Sequence, residues 1–381
     1  MLDIFRRMVN DAVRIGMQYN VSTMKRLSSL SYKHLSHYDI LSYYKQCAIA
    51  RAAGILANRK KSIKRGYKTK DPYVKALFLV CYRGFKIVDN KTLKIPLGNG
   101  KYFDISLTKY TQSILSDEAL VIHSVLLTDK YASITISHEA AEFDPMNAAG
   151  IDRNLRNLTY GNHKQIIQFD LTKTIEIAET TKDIVKSFKR NDVRIRRKIA
   201  SKYGTRRKNR INQILHRVSK AIVYHAAMNK QAIVFEDIRH INNLHRRGNY
   251  SSRYKRRLMN NDWSFSEQKR QIEYEARWLG VPVINLTKGE TRGTSVYCPK
   301  CGKRTQLSKH RKLWCIQCQI FMDRDVVAAM NIAHKGLLRF GSSKGIADEA
   351  MKWNLERDPI VLLVDAVKVS RALHLMTPKN L

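Results

Sequence analysis

Residues 298–325 read CPKCGKRTQLSKHRKLWCIQCQIFMDRD. Cys298 and Cys301 form one Cys-x-x-Cys pair, Cys315 and Cys318 a second, and thirteen residues separate the two. Each pair can wrap one side of a tetrahedral ion, so four thiolates complete its coordination and leave no open position. The spacing predicts one structural zinc per chain. A disulfide pair or an iron–sulfur site is the alternative these cysteines allow. His310, lying among Lys309, Arg311 and Lys312, reads as a solvated loop residue, because four sulfurs already suffice. Cys47 and Cys81 stand alone in apolar surroundings and read as core residues. A structural zinc has no use for the acids that follow at once, Asp323 and Asp325.

Those acids have candidate partners far away in the chain. Asp152 ends the apolar stretch AAGID, Glu236 ends AIVFE, and Asp325 directly precedes VVAAMNI. Taken singly, each is an ordinary strand end or an acidic residue favoured at a helix N-terminus. Brought together, three carboxylates repel unless cations neutralise them. Mg²⁺ prefers carboxylate oxygens and keeps several waters. Two such ions about 4 Å apart can activate water and stabilise the leaving oxygen of a phosphodiester.

The overall charge agrees with a phosphodiester partner. Lys and Arg number 70 against 32 Asp and Glu in 381 residues, a formal charge of +38. Such an excess points to a polyanion. The densest run, Lys186 to Arg210, holds twelve Lys or Arg and one Asp. Arg194, Arg196, Arg197, Lys198, Arg206, Arg207 and Lys208 are its candidate phosphate contacts, suited to a duplex backbone read without sequence preference. NNLHRRGNYSSRYKRR, with Tyr250 and Tyr254 interleaved, is a second basic cluster, and 58–70 a third. The apolar runs ALFLVCY and PIVLLV are too short to span a bilayer, and charges interrupt any leader-like segment at the start. The expectation is an intracellular chain with reduced thiols, without a membrane partner.

These residues need elements to position them. Residues 1 to about 70 show helical periodicity (Ile4, Met8, Ala12, Ile15), and 76–142 break into short β-rich runs, expected to form a small barrel or sandwich. After Pro145 come AAGID, LRNLTYG and QIIQFDL as neighbouring strands, then a long helix with Ile211, Leu215, Val218, Ile222 and Ala226 on one face. AIVFED is a strand, EQKRQIEYEARWLG a helix, VPVINL a strand, and DVVAAMNIAHKGL a closing helix after the cysteines. In a twisted mixed sheet of this order the three acids can converge. No internal repeat is visible, and nothing after Gly341 is informative.

GIDRNLRNLTYG, IVFEDI preceded by a long helix, EYEARWLGVPVINL, CPKC…CIQC and DRDVVAAMNIA, in that order, resemble the TnpB family. These are transposon-encoded, OrfB-type proteins akin to compact type V CRISPR effectors, and the likeness has an archaeal flavour. It is close over about 145–335 and looser before. The resemblance implies an α+β multidomain fold: an N-terminal helical and β-barrel (wedge and recognition) half, then an RNase H-like, RuvC-type mixed sheet with a zinc-ribbon insertion. The expected divisions are 1–75 helical recognition, 76–144 wedge-like, 145–294 and 322–340 nuclease, 295–321 zinc-binding and 341–381 tail. It implies a cytoplasmic, prokaryotic endonuclease that takes guide RNA from the transposon end. Magnesium, two ions per site, would support cleavage of double-stranded target DNA, with Asp152, Glu236 and Asp325 as the catalytic acids. Asp325 is preferred to Asp323 because it directly precedes the helix. Two positions depart from the family pattern. Asn154 stands near a usual Gly, at an expected positive-φ turn, and Val327 replaces a usual Asn, removing a polar group beside the site. A non-cleaving RNA-guided repressor of the same fold is the chief alternative, with a transposase accessory protein that does not cut another. A strand-joining transposase would need a tyrosine nucleophile beside a paired His motif, and none stands out.

Overall fold

The computed structural model describes residues 1–190, 192–238, 264–309, 311–341 and 358–369. His310 and the basic cluster with Tyr250 and Tyr254 lie outside these residues. The chain divides into two units, Met1–Glu139 and Ala140–Leu381.

The first unit begins with helices α1 (Leu2–Gln18), α2 (Met24–Ser31) and α3 (Ser42–Lys64), with a 3-10 turn at Lys33–Leu35. Strands β1 (Phe78–Cys81), β2 (Lys86–Val88), β3 (Thr92–Gly98) and β4 (Lys101–Ser106) precede α4 (Lys109–Leu115), β5 (Val121–Thr128) and β6 (Ala132–Ser137). The strands form two separate three-stranded antiparallel sheets, β1-β5-β6 and β2-β3-β4. Asp89 and Asn90, with φ of 51° and 53°, make the tight β2–β3 turn, the conformation that suits the twist of paired strands. Phe5, Met8 and Ala12 of α1 share one core with Ile49 and Ala52 of α3, Leu79, Leu93, Ile95 and Val125. Helices and strands therefore pack as a single body, with Cys47 and Cys81 buried in it.

The second unit is built on a six-stranded sheet, order β11-β10-β7-β8-β9-β15. β7 (Asn147–Arg153), β8 (Asn157–Gly161) and β9 (Gln165–Asp170) form an antiparallel meander. Helices α5 (Thr172–Ser187) and α6 (Val193–Met228) follow, and β10 (Gln231–Phe235) returns parallel to β7. Next come α7 (Phe265–Trp278), β11 (Val283–Asn285), parallel to β10, and the short α8 (Lys288–Thr291). The cysteine segment makes a small antiparallel sheet of β12 (Gln306–Lys309), β13 (Lys312–Cys315) and β14 (Ile320–Asp323). Helix α9 (Arg324–Gly341) follows directly.

Helices cover both faces of this sheet, which is why β7 is buried almost from end to end. Ala149 and Ile151 face α6 and its Leu215, Val218 and Ile222, while Ala148 and Val234 pack with Ile332 and Leu337 of α9. The strand periodicity of two thus assigns 148, 150 and 152 to the α9 side. The tail holds one element that the sequence reading left blank. β15 (Ile360–Asp365), the run IVLLVD, pairs parallel with β9 at the sheet edge.

Candidate functional site

Register brings the first two acids together. Gly150 pairs with Val234 and Ile151 with Phe235 across the parallel β7–β10 ladder. Asp152 and Glu236 therefore follow at matching positions on neighbouring strand ends, both on the α9 side. Gly150 sets how close the helix comes. A Cβ there would lie 2.2 Å from the Ala329 carbonyl oxygen and 2.6 Å from the Ala333 nitrogen, so only glycine lets α9 cross β7 at this distance. The first turn of α9 then carries Asp325 to the same end of the sheet, 3% exposed.

Asp323 has a different task. Its Oδ1 accepts from the backbone N–H of Asp325 at 2.8 Å and of Val326 at 3.2 Å, which caps the helix. One oxygen of Asp323 is thereby engaged at the helix start, whereas Asp325 is buried among the other acids. Asn157 of β8 donates to Asp325 Oδ2 at 3.0 Å. The amide oxygen of Asn157 is buried without a hydrogen-bond partner.

The electrostatics are those of crowded acids. Burial pushes the Asp152 carboxyl well above the ordinary range, and the charges of Glu236 and Asp325 push it further. Burial also raises Glu236, opposed by the charge of Arg153 and by the Arg153 backbone N–H, 3.5 Å from Oε1. Arg153 is itself only 4% exposed. It donates to the carbonyls of Phe265 and Glu236 and lies over the Phe235 ring, 5.2 Å from its centroid. It therefore braces the chain that carries Glu236.

Two positions behave differently from their sequence reading. Asn154 is not among the left-handed residues. The turn closes instead through its backbone N–H to the Asn157 carbonyl at 2.9 Å, which needs no positive φ. Its side chain donates to Asp152 Oδ2 at 2.7 Å. Arg311, noted in the sequence only as a neighbour of His310, ion-pairs with Asp325 from the β12–β13 connection. The sequence offered no signal for that contact, which depends on how the hairpin folds over α9. Val327 is fully buried in α9.

The four cysteines converge. Cys298 and Cys318 sulfurs lie 3.9 Å apart and Cys301 and Cys315 sulfurs 3.5 Å apart. All four ligand atoms fall within 4.8 Å of one another. Tetrahedral zinc with bonds of about 2.3 Å needs sulfurs roughly 3.8 Å apart, so the cluster fits a metal such as zinc. The two pairs use the same turn. Gly302 N–H donates to the Cys298 carbonyl and Gln319 N–H to the Cys315 carbonyl, with φ of 70° and 54° at the two donors. Among the described residues this is the one group of metal-type ligands so closely gathered. The three carboxylates lie farther apart, with Asp325 drawn to Arg311 and Asn157. Their donor set is nonetheless hard oxygen throughout, and the bare Asn157 oxygen adds to it, as Mg²⁺ requires.

The module is moored to α9. Asn331 donates to the carbonyls of Thr294 and Tyr297, and Lys335 to those of Glu290 and Arg292. Of the basic candidates, Arg194, Arg197, Lys198, Arg206 and Lys208 are exposed along α6, and Arg196 and Arg207 half-buried. No helix among the described residues is long and apolar enough to cross a membrane.

A known fold matches this arrangement. The chain aligns with the structure of a Cas12f1–sgRNA–target DNA complex at a TM-score of 0.57 and 14% identity, over 87% of this chain and 80% of that one. The profile of the Cas12f1-like TNB domain matches residues 265–332, from α7 through the cysteines into α9. TnpB-like protein MJ0751 of Methanocaldococcus jannaschii is 30% identical over 201 residues, 49% of this chain and 67% of that protein. A second TnpB-like protein of that organism is 26% identical over 317 residues, 80% of this chain and 71% of its own length. A Streptomyces pristinaespiralis protein named "Putative RNA-guided DNA endonuclease" is 26% identical over 205 residues, 52% of this chain and 48% of that protein. The chain belongs to the TnpB family.

Proposed function

We propose that this chain is an RNA-guided DNA endonuclease that hydrolyses phosphodiester bonds of a double-stranded target, with guide RNA supplied by a transposon end. The observation that carries this reading is the meeting of Asp152, Glu236 and Asp325 at one end of a mixed sheet in a chain of charge +38. The name of the Streptomyces relative and the nucleic acids in the Cas12f1 complex support it.

Asp152, Glu236 and Asp325 would hold magnesium, assisted by the open oxygen of Asn157. Bound there, the metal supplies an activated water and stabilisation of the leaving oxygen. The chain's own part is preorganisation. β7 and β10 fix two carboxylates by register, Asn154 orients Asp152, and Arg153 braces Glu236. The cap from Asp323 and the bond from Asn157 orient Asp325. The four cysteines, holding one structural zinc, keep Arg311 against Asp325.

Replacing Asp152, Glu236 or Asp325 with Ala is expected to slow cleavage of matched double-stranded DNA roughly a hundredfold or more, while the RNA complex still binds its target. Asp323→Ala serves as the control and is expected to retain cleavage with some loss of stability. The check is cleavage by the purified RNA complex with Mg²⁺ and with chelator. A wild-type complex that binds its target and never cuts would favour the repressor instead. Cutting that persists in Asp325→Ala and vanishes in Asp323→Ala would exchange the two aspartates.

A further inference from the structure

Between the second half of α5 and the first half of α6 lie two cavities. One, of about 430 Å³, is lined by Thr180 and Thr181 of α5 and by Tyr203, Arg206 and Arg210 of α6. The other, of about 370 Å³, is lined by Lys186, Lys189, Arg196 and Arg197. No carboxylate among the described residues lines either one. A solvated helix face normally mixes charge signs, and this cleft does not.

Two details point inward to a ligand. The Nε of Arg196 is shielded from solvent and has no hydrogen-bond partner. Its guanidinium is oriented at one end by a long contact of 3.5 Å to the Lys189 carbonyl. Arg196 is half-buried, and its remaining guanidinium N–H groups are charge-assisted donors suited to an anionic oxygen. In the neighbouring cavity the half-buried ring of Tyr203 has the Arg206 guanidinium 5.5 Å from its centroid. An aromatic ring beside a cation is the platform on which an unpaired base stacks.

Size and shape separate a single strand from a duplex. Each cavity is near the lower end of the range for small-ligand sites, about 300–1,000 Å³, which suits one nucleotide. A duplex carries its phosphates on a convex surface and keeps its base faces stacked inside. It could touch the rim of this cleft but could not bring a base to Tyr203. From Arg196 to Arg206 is ten residues of helix, roughly 15 Å, a span that a few nucleotides of one strand can bridge.

We infer that the α5–α6 cleft is a binding site for an unpaired nucleic-acid strand, with a base stacked on Tyr203 and a phosphate on Arg196. The inference rests on the nucleic-acid reading of this chain but not on cleavage. Two strands share the required chemistry: an unpaired stretch of guide RNA, and a DNA strand displaced from the target.

The test is binding of labelled ten-nucleotide single-stranded RNA, single-stranded DNA of the same sequence, and a ten-base-pair duplex to the full chain, by fluorescence anisotropy across a salt series. Tyr203→Leu is expected to weaken unpaired strands roughly tenfold and leave the duplex unchanged, while Tyr203→Phe keeps wild-type affinity. Arg196→Gln is expected to lower the salt slope for unpaired strands by about 0.7, one phosphate. A loss confined to RNA assigns the cleft to the guide, and one confined to DNA assigns it to the displaced strand. In the wild-type chain, a photoactivatable base within the bound strand is expected to crosslink to the peptide that contains Tyr203. An equal loss for duplex and single strand, no loss for either, or no crosslink at that peptide overturns the proposal. A chain that binds as expected and never cuts would overturn only the nuclease reading.

Discussion

Asp152 is the side chain on which the charges of the site converge. It is buried and faces two other acids, and both conditions disfavour its ionised form. Without a cation the three carboxylates therefore weaken the fold that holds them. Asp152→Asn keeps the shape and can still accept from Asn154 while removing one charge. In chelator the variant is expected to melt higher than the wild type, by roughly 2–4 °C for each kcal/mol of repulsion relieved. Added Mg²⁺ is expected to raise the melting temperature of the wild type and to have little effect on the variant. Calorimetry with and without metal is the check. A variant that melts lower in chelator would mean that Asp152 is stabilised by its surroundings and is not a cation ligand.

At the scale of elements, the site depends on the crossing of β7 and α9. Gly150 contributes no functional group, but a methyl there would enter the backbone of the helix. Gly150→Ala is expected to cost about 3 kcal/mol or more, since backbone cannot move aside as a flexible side chain can. It should also depress cleavage by pushing Asp325 away from Asp152. Retention of both wild-type stability and wild-type cleavage would show that α9 tolerates a looser crossing. The cysteine hairpin is the second positioning element, because Arg311 reaches Asp325 from it. Purified protein is expected to carry about one zinc per chain by elemental analysis. A Cys315→Ser/Cys318→Ser double variant is expected to lose the zinc and, with it, part of its folding stability. Iron in the wild type, or zinc unchanged in the double variant, would refute the assignment.

The molecule as a whole carries +38, far more than the acidic site can balance. Binding to nucleic acid is expected to weaken steeply with salt, each neutralised phosphate contributing about 0.7 to 0.9 to the logarithmic slope. Replacing Arg196, Arg197, Arg206 and Arg207 together by Gln should flatten the slope for RNA. A slope that stays the same would mean that this part of α6 faces solvent in the complex. The carboxylate variants should leave the slope nearly unchanged, because they remove no cation. The two sets of substitutions thus separate binding from chemistry.

Local patterning carried much of this protein in its sequence. The apolar runs ending at Asp152 and Glu236 read as strands because a strand buried on both faces is nearly continuous in hydrophobic residues. The spacing of the cysteine pairs announced the convergence of their four sulfurs, since ligand geometry around one ion is a short-range constraint. The preference for Asp325 over Asp323 could be argued from the helix that follows, and in the structure Asp323 caps the start of that helix. Other features depended on pairings between distant segments, which no local pattern encodes. Only the β7–β10 register aligned Asp152 with Glu236, and only the glycine crossing brought α9 close enough to add Asp325. The run IVLLVD looked like any short apolar stretch until β9 offered it an edge. Arg311 looked like one more exposed cation, because the partner that makes it part of the site lies in another element. Asn154 likewise owes its role to the carboxylate beside it rather than to a left-handed turn. Residue types and spacing determined the chemistry available to this chain, and long-range packing decided which of those residues meet, because contact across a sheet depends on register and close approach that neighbouring residues do not specify.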